Sequence, residues 1–178
     1  MDDATDSQLW AAAVRGDGES FGLVFDRHRD RVLRHSLRLV PGWHDAEEVV
    51  AVTFLEAWRK REGVRFVGDS LLPWLLATAT NVSRNLSRSA RRYRALLDKL
   101  PPPIDREFDE SSEAVTALGG LSLADRQVIT LSVLEGFSEA EVAEALGIPR
   151  GTVKSRLSRA KKRLASGLAP ALLERTSS

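Results

Sequence analysis

The stretch from Gly136 to Leu164, GFSEAEVAEALGIPRGTVKSRLSRAKKRL, constrains the fold of this chain more than any other. Ser138 followed three residues on by Glu141 fits a capping box, in which hydroxyl and carboxylate each satisfy a backbone N–H that the first helical turn leaves open. Val142, Ala143 and Leu146 supply an apolar stripe, Gly147 can take the left-handed conformation that ends a helix, and the fixed φ of Pro149 suits the opening of the next one. On that second helix Val153, Leu157, Ala160 and Leu164 recur at i, i+4, i+7 and i+11, one narrow arc committed to packing. The spacing predicts two helices meeting at a sharp corner, a helix-turn-helix.

The face opposite that arc holds Gly151, Ser155, Ser158, Arg159 and Lys162, and no acid interrupts Arg150 to Arg163. Small residues let a helix approach the floor of a major groove, Arg159 can reach base edges, and Lys154, Lys161, Lys162 and Arg163 can neutralise phosphates. Ser138, where unpaired N–H groups attract anions, fits a phosphate contact. A solvated basic face on an ordinary amphipathic helix is the other reading. Capping box, turn glycine, helix-opening proline and one-signed face together favour DNA.

A chain of 178 residues has room for one domain or two small ones with a real core. A formal charge of +1 does not indicate a nucleic-acid partner, so the informative quantity is where the charges sit. The absence of cysteine excludes disulfides and thiolate-bound metals. The acidic start MDDATDSQLW lacks the regions of a signal peptide, and no apolar run approaches the ~20 residues that cross a bilayer. A soluble cytoplasmic protein with no membrane insertion is the expectation.

Hydrophobic periodicity predicts a short helix from Asp6 to Gly16, a longer one from Glu19 to Val40 stopped by Pro41 and Gly42, and a third over WHDAEEVVAVTFLEAWRKR. EGVRFVGDS reads as a loop presenting an aromatic and two small polar residues. Helix resumes from Leu71 to about Arg94, and its second half sets Arg84, Arg88, Arg91, Arg92 and Arg94 among Asn81, Asn85 and serines with no acid. LPPPIDREFDESSE, three prolines followed by acids, suits an exposed linker, one whose carboxylates could mimic nucleic acid. Helices at Glu113–Leu118 and Ser122–Leu134 follow, then the opening pair. The fold class is all-α, two small helical domains at 1–96 and 113–178 joined by a proline-rich acidic linker at 97–112.

His28, His35 and His44 show no metal-ligand spacing, and no Walker or Rossmann glycine motif occurs. The expectation is no enzyme, no cofactor and no metal. His28 and His35, lying among arginines, are expected to face solvent or nucleic acid.

DAEEVVAVTFLEAWR, FVGDS, PWLLATATNVSRNLSR and the helix-turn-helix segment resemble, in order and spacing, the extracytoplasmic-function sigma factors of bacterial RNA polymerase, in the sigma-70 family. The resemblance covers nearly the whole chain. It implies a sigma-2-like helical bundle that binds the β′ clamp helices and recognises and melts the minus-ten element, and a sigma-4-like domain that reads the minus-thirty-five element as duplex beside the β flap. Carried over by position, Glu48, Ala51, Val52, Leu55 and Trp58 face the polymerase. Family members often carry a glutamine and an acid where this chain has Ala51 and Val52, so docking leans on apolar burial and Glu48. Phe54 is read as core. Phe66, Asp69, Ser70 and Asn81 are the candidates for capturing a flipped base of the non-template strand, with core packing the other reading of Phe66. Arg84, Asn85, Arg88, Arg91 and Arg92 fall on the backbone or upstream duplex. Ser138, Arg150, Gly151, Thr152, Lys154, Ser155, Ser158, Arg159 and Lys162 fall on the minus-thirty-five element. Where relatives put a larger side chain, Ser158 leaves readout to DNA shape. An anti-sigma factor is a further partner that the resemblance implies.

The competing class is a stand-alone helix-turn-helix regulator with an N-terminal sensing or dimerisation lobe. It predicts tight duplex binding without polymerase, whereas a sigma factor predicts strong promoter binding only with core enzyme.

Overall fold

The computed structural model describes residues 4–97 and 113–175, with side chains over 4–89 and 115–167. The expected linker, beyond Leu97, lies outside the described residues. Eight α-helices follow in order: α1 (Asp6–Val14), α2 (Gly18–Ser36), α3 (Trp43–Arg59), α4 (Leu72–Leu97), α5 (Glu113–Gly119), α6 (Leu123–Ile129), α7 (Glu139–Leu146) and α8 (Arg150–Arg175). A π-helical turn, Thr130–Leu134, continues α6. Among the described residues there is no strand, only a bridge between Val67 and Ser70.

Local chemistry sets the ends of these helices. Thr5 and Gln8 form a capping box before α1, and the Asp17 carboxylate accepts the N–H groups of Glu19 and Ser20 before α2. The second helix stops at Ser36 rather than Val40. The Ser36 hydroxyl bonds back to the Val32 carbonyl, and the chain tightens to i→i+3 bonds, Arg38 N–H to His35 and Leu39 N–H to Ser36. That change of course turns Leu39 and Val40 inward, and both are buried.

In the N-terminal lobe α1–α4 surround Leu9, Trp10, Val24, Val32, Val49, Phe54, Leu71, Leu75 and Leu76. Phe54 is core, as read from the sequence. Trp10 packs on Phe21, which meets Trp58 edge-on, and Trp10 Nε1–H donates to the Arg61 carbonyl. The C-terminal lobe packs α8 on α6, with Leu118, Leu121, Ile129 and Ala160 in its core and Leu39 reaching in from the first lobe.

The two lobes are not separate beads. Val128, Leu131, Val142 and Val153 of the second lobe are continuous with the core of the first. For this reason α4 is buried all along from Leu75 to Thr80. Each fully buried valine or leucine contributes about 1.5–3 kcal/mol, so this contact is a substantial one.

His28 and His35 correct the sequence reading. Both are buried, at 6% and 0% exposure, because Ser20, Val24, His28, Val32 and His35 form a single inward stripe along α2 while the arginines take the outer faces.

Candidate nucleic-acid interface

On α3 the inward residues are Ala46, Val49, Val50, Thr53, Phe54 and Ala57. The opposite side presents Glu48, Ala51, Leu55 and Trp58 to solvent, Leu55 at 47% and Trp58 at 37% exposure, while Val52 is half-buried against the core. Arg61 stacks its guanidinium 5.2 Å from the Trp58 ring, and Glu56 is held by Arg59 and Lys60 at the helix end. The result is an apolar stripe with one acid near its start.

Beyond α3 the chain makes a two-residue turn at Gly68 and Asp69, with Val67 and Ser70 exchanging both backbone hydrogen bonds. Both central residues have positive φ, 52° and 64°, which glycine accepts freely and which aspartate tolerates better than most residues. Asp69 is exposed and its Oδ1 accepts from the Ser7 hydroxyl at 2.9 Å. Ser70 is half-buried; its hydroxyl donates to Asp6 and accepts the Leu72 N–H, capping α4. Phe66 is half-buried against the core, so packing claims at least part of its ring. Asn81 Oδ1 is shielded from solvent with no hydrogen-bond partner. Arg84 is half-exposed, Asn85 and Arg88 are exposed, and the side chains of Arg91 and Arg92 lie outside the described residues.

Asp6 underlies this turn. It is 3% exposed, and its carboxylate accepts from Arg27 Nη1 at 2.7 Å, His28 Nε2, the Ser70 hydroxyl at 3.3 Å and the Leu71 N–H at 2.8 Å. Burial pushes its pKa up, but the bonds from His28, the Leu71 N–H and Arg27 outweigh it and hold the group at about 2.

The helix-turn-helix forms as its sequence predicts. Ser138 and Glu141 complete the capping box, and Gly147 ends α7 at φ 63°. Val153 and Ala160 of α8 are fully buried, and Gly151, Lys154, Ser155, Ser158, Lys161, Lys162 and Arg163 are exposed, with Thr152 half-buried. Two predicted contacts are already spoken for. The N–H and hydroxyl of Ser138 both donate to Glu141, so an anion already sits where a phosphate was expected. Arg159 grips Asp125 bidentately, Nη2 to Oδ1 at 2.6 Å and Nε to Oδ2 at 3.0 Å, and this ion pair fixes α8 on α6 instead of leaving the guanidinium free for bases. The same bond draws the Asp125 pKa down and the Arg159 pKa up. Arg150 lies 3.5 Å from Glu139.

Where the lobes meet, Glu135 at the end of the π-helical turn is 4% exposed in its side chain and receives Arg31 Nη2 at 2.7 Å, His35 Nδ1 at 2.8 Å and Arg38 Nη1 at 3.1 Å. His35 Nε2 lies 3.0 Å from Thr80 Oγ1. Burial raises the Glu135 pKa, but His35 and then Arg31 and Arg38 lower it more. Nearby, Gln127 Nε2 donates to the Ala77 carbonyl, and the Arg65 guanidinium lies where a side chain at Gly147 would begin.

Asp6, Asp125 and Glu135 were not singled out from the sequence. Each pairs with a residue far along the chain, and the signal at hand was the α2 stripe that carries His28 and His35 among its valines.

Two helical lobes, one ending in a helix-turn-helix and the other carrying an acid-free basic helix, define a helical DNA-binding protein. Comparison with known proteins specifies the family. Residues 24–93 match sigma-70 region 2 and residues 111–164 match sigma-70 region 4. The chain is 37% identical over 159 residues to the ECF RNA polymerase sigma factor SigL of Mycobacterium tuberculosis, covering 83% of this chain and 88% of that one. It is 32% identical over 180 residues to the RNA polymerase sigma factor NccH of Alcaligenes xylosoxydans xylosoxydans, covering 92% and 94%. Among solved structures, CnrH in complex with the cytosolic domain of CnrY aligns with a TM-score of 0.60 at 28% identity over 91% of this chain and 96% of that one. Sigma factor RpoE of Bartonella quintana, in complex with the anti-sigma factor NepR, aligns at 0.51 and 28%, covering 85% and 95%. The chain belongs to the extracytoplasmic-function sigma factors of the sigma-70 family, which direct RNA polymerase to promoters.

Proposed function

We propose that residues 1–96 bind core polymerase and open the minus-ten element, that 113–178 read the minus-thirty-five duplex, and that 97–112 link them. The observation that carries this division is the exposed stripe of Glu48, Ala51, Leu55 and Trp58, which no described part of the chain covers although α4 is buried from Leu75 to Thr80. An apolar helix face of this kind suits a helical partner such as the β′ clamp helices. The turn at Asp69 and Ser70, with Asn81 and its unpaired carbonyl, receives a flipped non-template base. Arg84, Asn85, Arg88, Arg91 and Arg92 hold the adjoining backbone. In the second lobe Lys154, Ser155, Ser158 and Lys162 meet the groove, Arg150, Gly151 and Thr152 its edge, and the β flap lies alongside. Arg159 and Ser138, both at the surface, hold the lobe through Asp125 and Glu141.

The observed closure of the lobes is a resting form. The two promoter elements lie about 25 base pairs apart, roughly 85 Å at 3.4 Å per step, whereas a compact chain of this length has a radius of gyration of about 16 Å. One closed molecule cannot touch both, so binding requires α6 and α7 to leave α4 and the Glu135 contact to open. An anti-sigma factor, as in the RpoE complex with NepR, is the proposed inhibitory partner. The protein acts in the cytoplasm, as a binding factor and not an enzyme.

Run-off transcription and gel shift with and without core polymerase test the whole reading. Promoter binding that appears only with core supports it; tight binding of a palindromic duplex by the protein alone would overturn it. Leu55→Asp, at the more exposed position of the stripe, is expected to abolish competition for core while leaving the fold intact by circular dichroism.

A further inference from the structure

Resting on the proposed role of the Asp69–Ser70 turn, we propose that Asp6 and Ser7 of α1 are positioning residues for that turn, setting which base it accepts.

The two neighbours hold two consecutive residues of the turn from below. Ser7 donates to the Asp69 carboxylate, and Asp6 accepts both the Ser70 hydroxyl and the Leu71 N–H. Asp6 is in turn fixed from α2 by Arg27 and His28, so the brace reaches from the turn through α1 to the lobe's core. Asp6 and Ser7 themselves stand outside the matched sigma-70 region 2, which begins at residue 24.

The arrangement is hard to explain as stabilisation alone. A buried charged network is typically no more stabilising than apolar residues of the same volume, and its better-attested use is to select one conformation. Here the conformation in need of selection is visible. Gly68 and Asp69 both sit at positive φ, as the turn closed by Val67 and Ser70 requires, a conformation that Asp69 adopts less readily than Gly68. Apart from the bonds that Val67 and Ser70 exchange and those from Leu72 and Leu75 N–H that begin α4, the bonds described at Asp69, Ser70 and Leu71 come from Asp6 and Ser7. A turn that must present polar groups to an unstacked base gains selectivity when its geometry is settled before the base arrives.

The test uses assembled holoenzyme on a template library randomised across the minus-ten region, supplied both as duplex and pre-melted, with transcripts sequenced to give base preference at each position. Asp6→Asn and Ser7→Ala are compared with wild type, and Ser7→Thr restores the hydroxyl. Asp6→Asn is expected to flatten the preference at one melted position by about tenfold and Ser7→Ala by about threefold, the scale of a charged and a neutral hydrogen bond. Ser7→Thr should recover it, and competition for core polymerase should stay within about twofold of wild type. Unchanged preference in both variants overturns the proposal. So does a parallel fall in melting temperature, core binding and transcription with the preference profile intact, which would make Asp6 merely structural. If wild type itself shows no preference at any melted position, the reading of the turn fails and the brace falls with it, an outcome distinct from a preference that survives the substitutions.

Discussion

Asp6 and Glu135 are two buried carboxylates with similar retinues, each held by a histidine and an arginine from α2, yet they serve opposite ends. Asp6 works inside one lobe and includes a backbone N–H among its donors, a group that water cannot replace without unfolding the turn. Glu135 works between lobes, and two of its three partners, Arg31 and Arg38, are 43% and 50% exposed and line a shallow cleft with Arg34. The same chemistry therefore makes a permanent brace in one place and a releasable tie in the other. What separates them is the buried Leu71 N–H, since each carboxylate has an arginine that solvent reaches, Arg27 beside Asp6 at 36% exposure, but only Asp6 holds a backbone donor.

That contrast can be broken most forcefully at Asp6. Asp6→Ala leaves His28 and the Leu71 N–H facing an empty buried site, and urea unfolding should show the N-terminal lobe weakened by roughly 3–5 kcal/mol. All four tryptophans, Trp10, Trp43, Trp58 and Trp74, lie in that lobe and report it directly by fluorescence.

Glu135→Gln should leave that tryptophan transition in place and instead separate the lobes, with a loss of about 1–3 kcal/mol in their association. Energy transfer between dyes on Ser89 and Ser166 would measure it; unchanged transfer would remove Glu135 as the tie. Acid makes the same comparison without mutation. Both carboxylates have lowered pKa values, so each contributes stability that is complete above its ordinary value, 3.8 for Asp6 and 4.5 for Glu135, and is lost as pH falls through the lowered one. Asp6 holds its charge down to about 2, so acid should melt the first lobe only near that pH, while the contact between the lobes should weaken as pH falls below the ordinary range of Glu135.

The smallest effect is expected at the rim. Arg38→Ala should weaken closure by less than about 1 kcal/mol, and added salt should erase the difference, because an exposed partner of an ion pair is screened. A loss as large as that of Glu135→Gln would mean that the arginines, and not His35, carry the tie.

How much of this was legible in the sequence depended on range. The helix-turn-helix was readable because Ser138, Glu141 and Gly147 act on their own neighbours, and the exposed stripe of α3 only through the resemblance, which carried Glu48, Ala51, Leu55 and Trp58 over by position. The early stop of α2 was not, since it depends on where Leu39 and Val40 find a core. The burial of His28 and His35 was half legible: their spacing continued the Val24–Val32 stripe, but a polar residue among arginines reads as surface until a carboxylate from another element is known to meet it. Closure of the lobes was not legible, because small residues such as Ala77 and Thr80 on α4 fit solvent as well as a partner helix.

The ion pair between Arg159 and Asp125 carries one more consequence, for the ions around DNA. A guanidinium already neutralised by a carboxylate displaces no condensed counterion when its lobe binds, so the count of bases on α8 overstates the salt dependence of minus-thirty-five binding. Lys154→Ala should lower the slope of log affinity against log salt by about one. Arg159→Ala should leave that slope nearly unchanged while lowering the stability of the lobe.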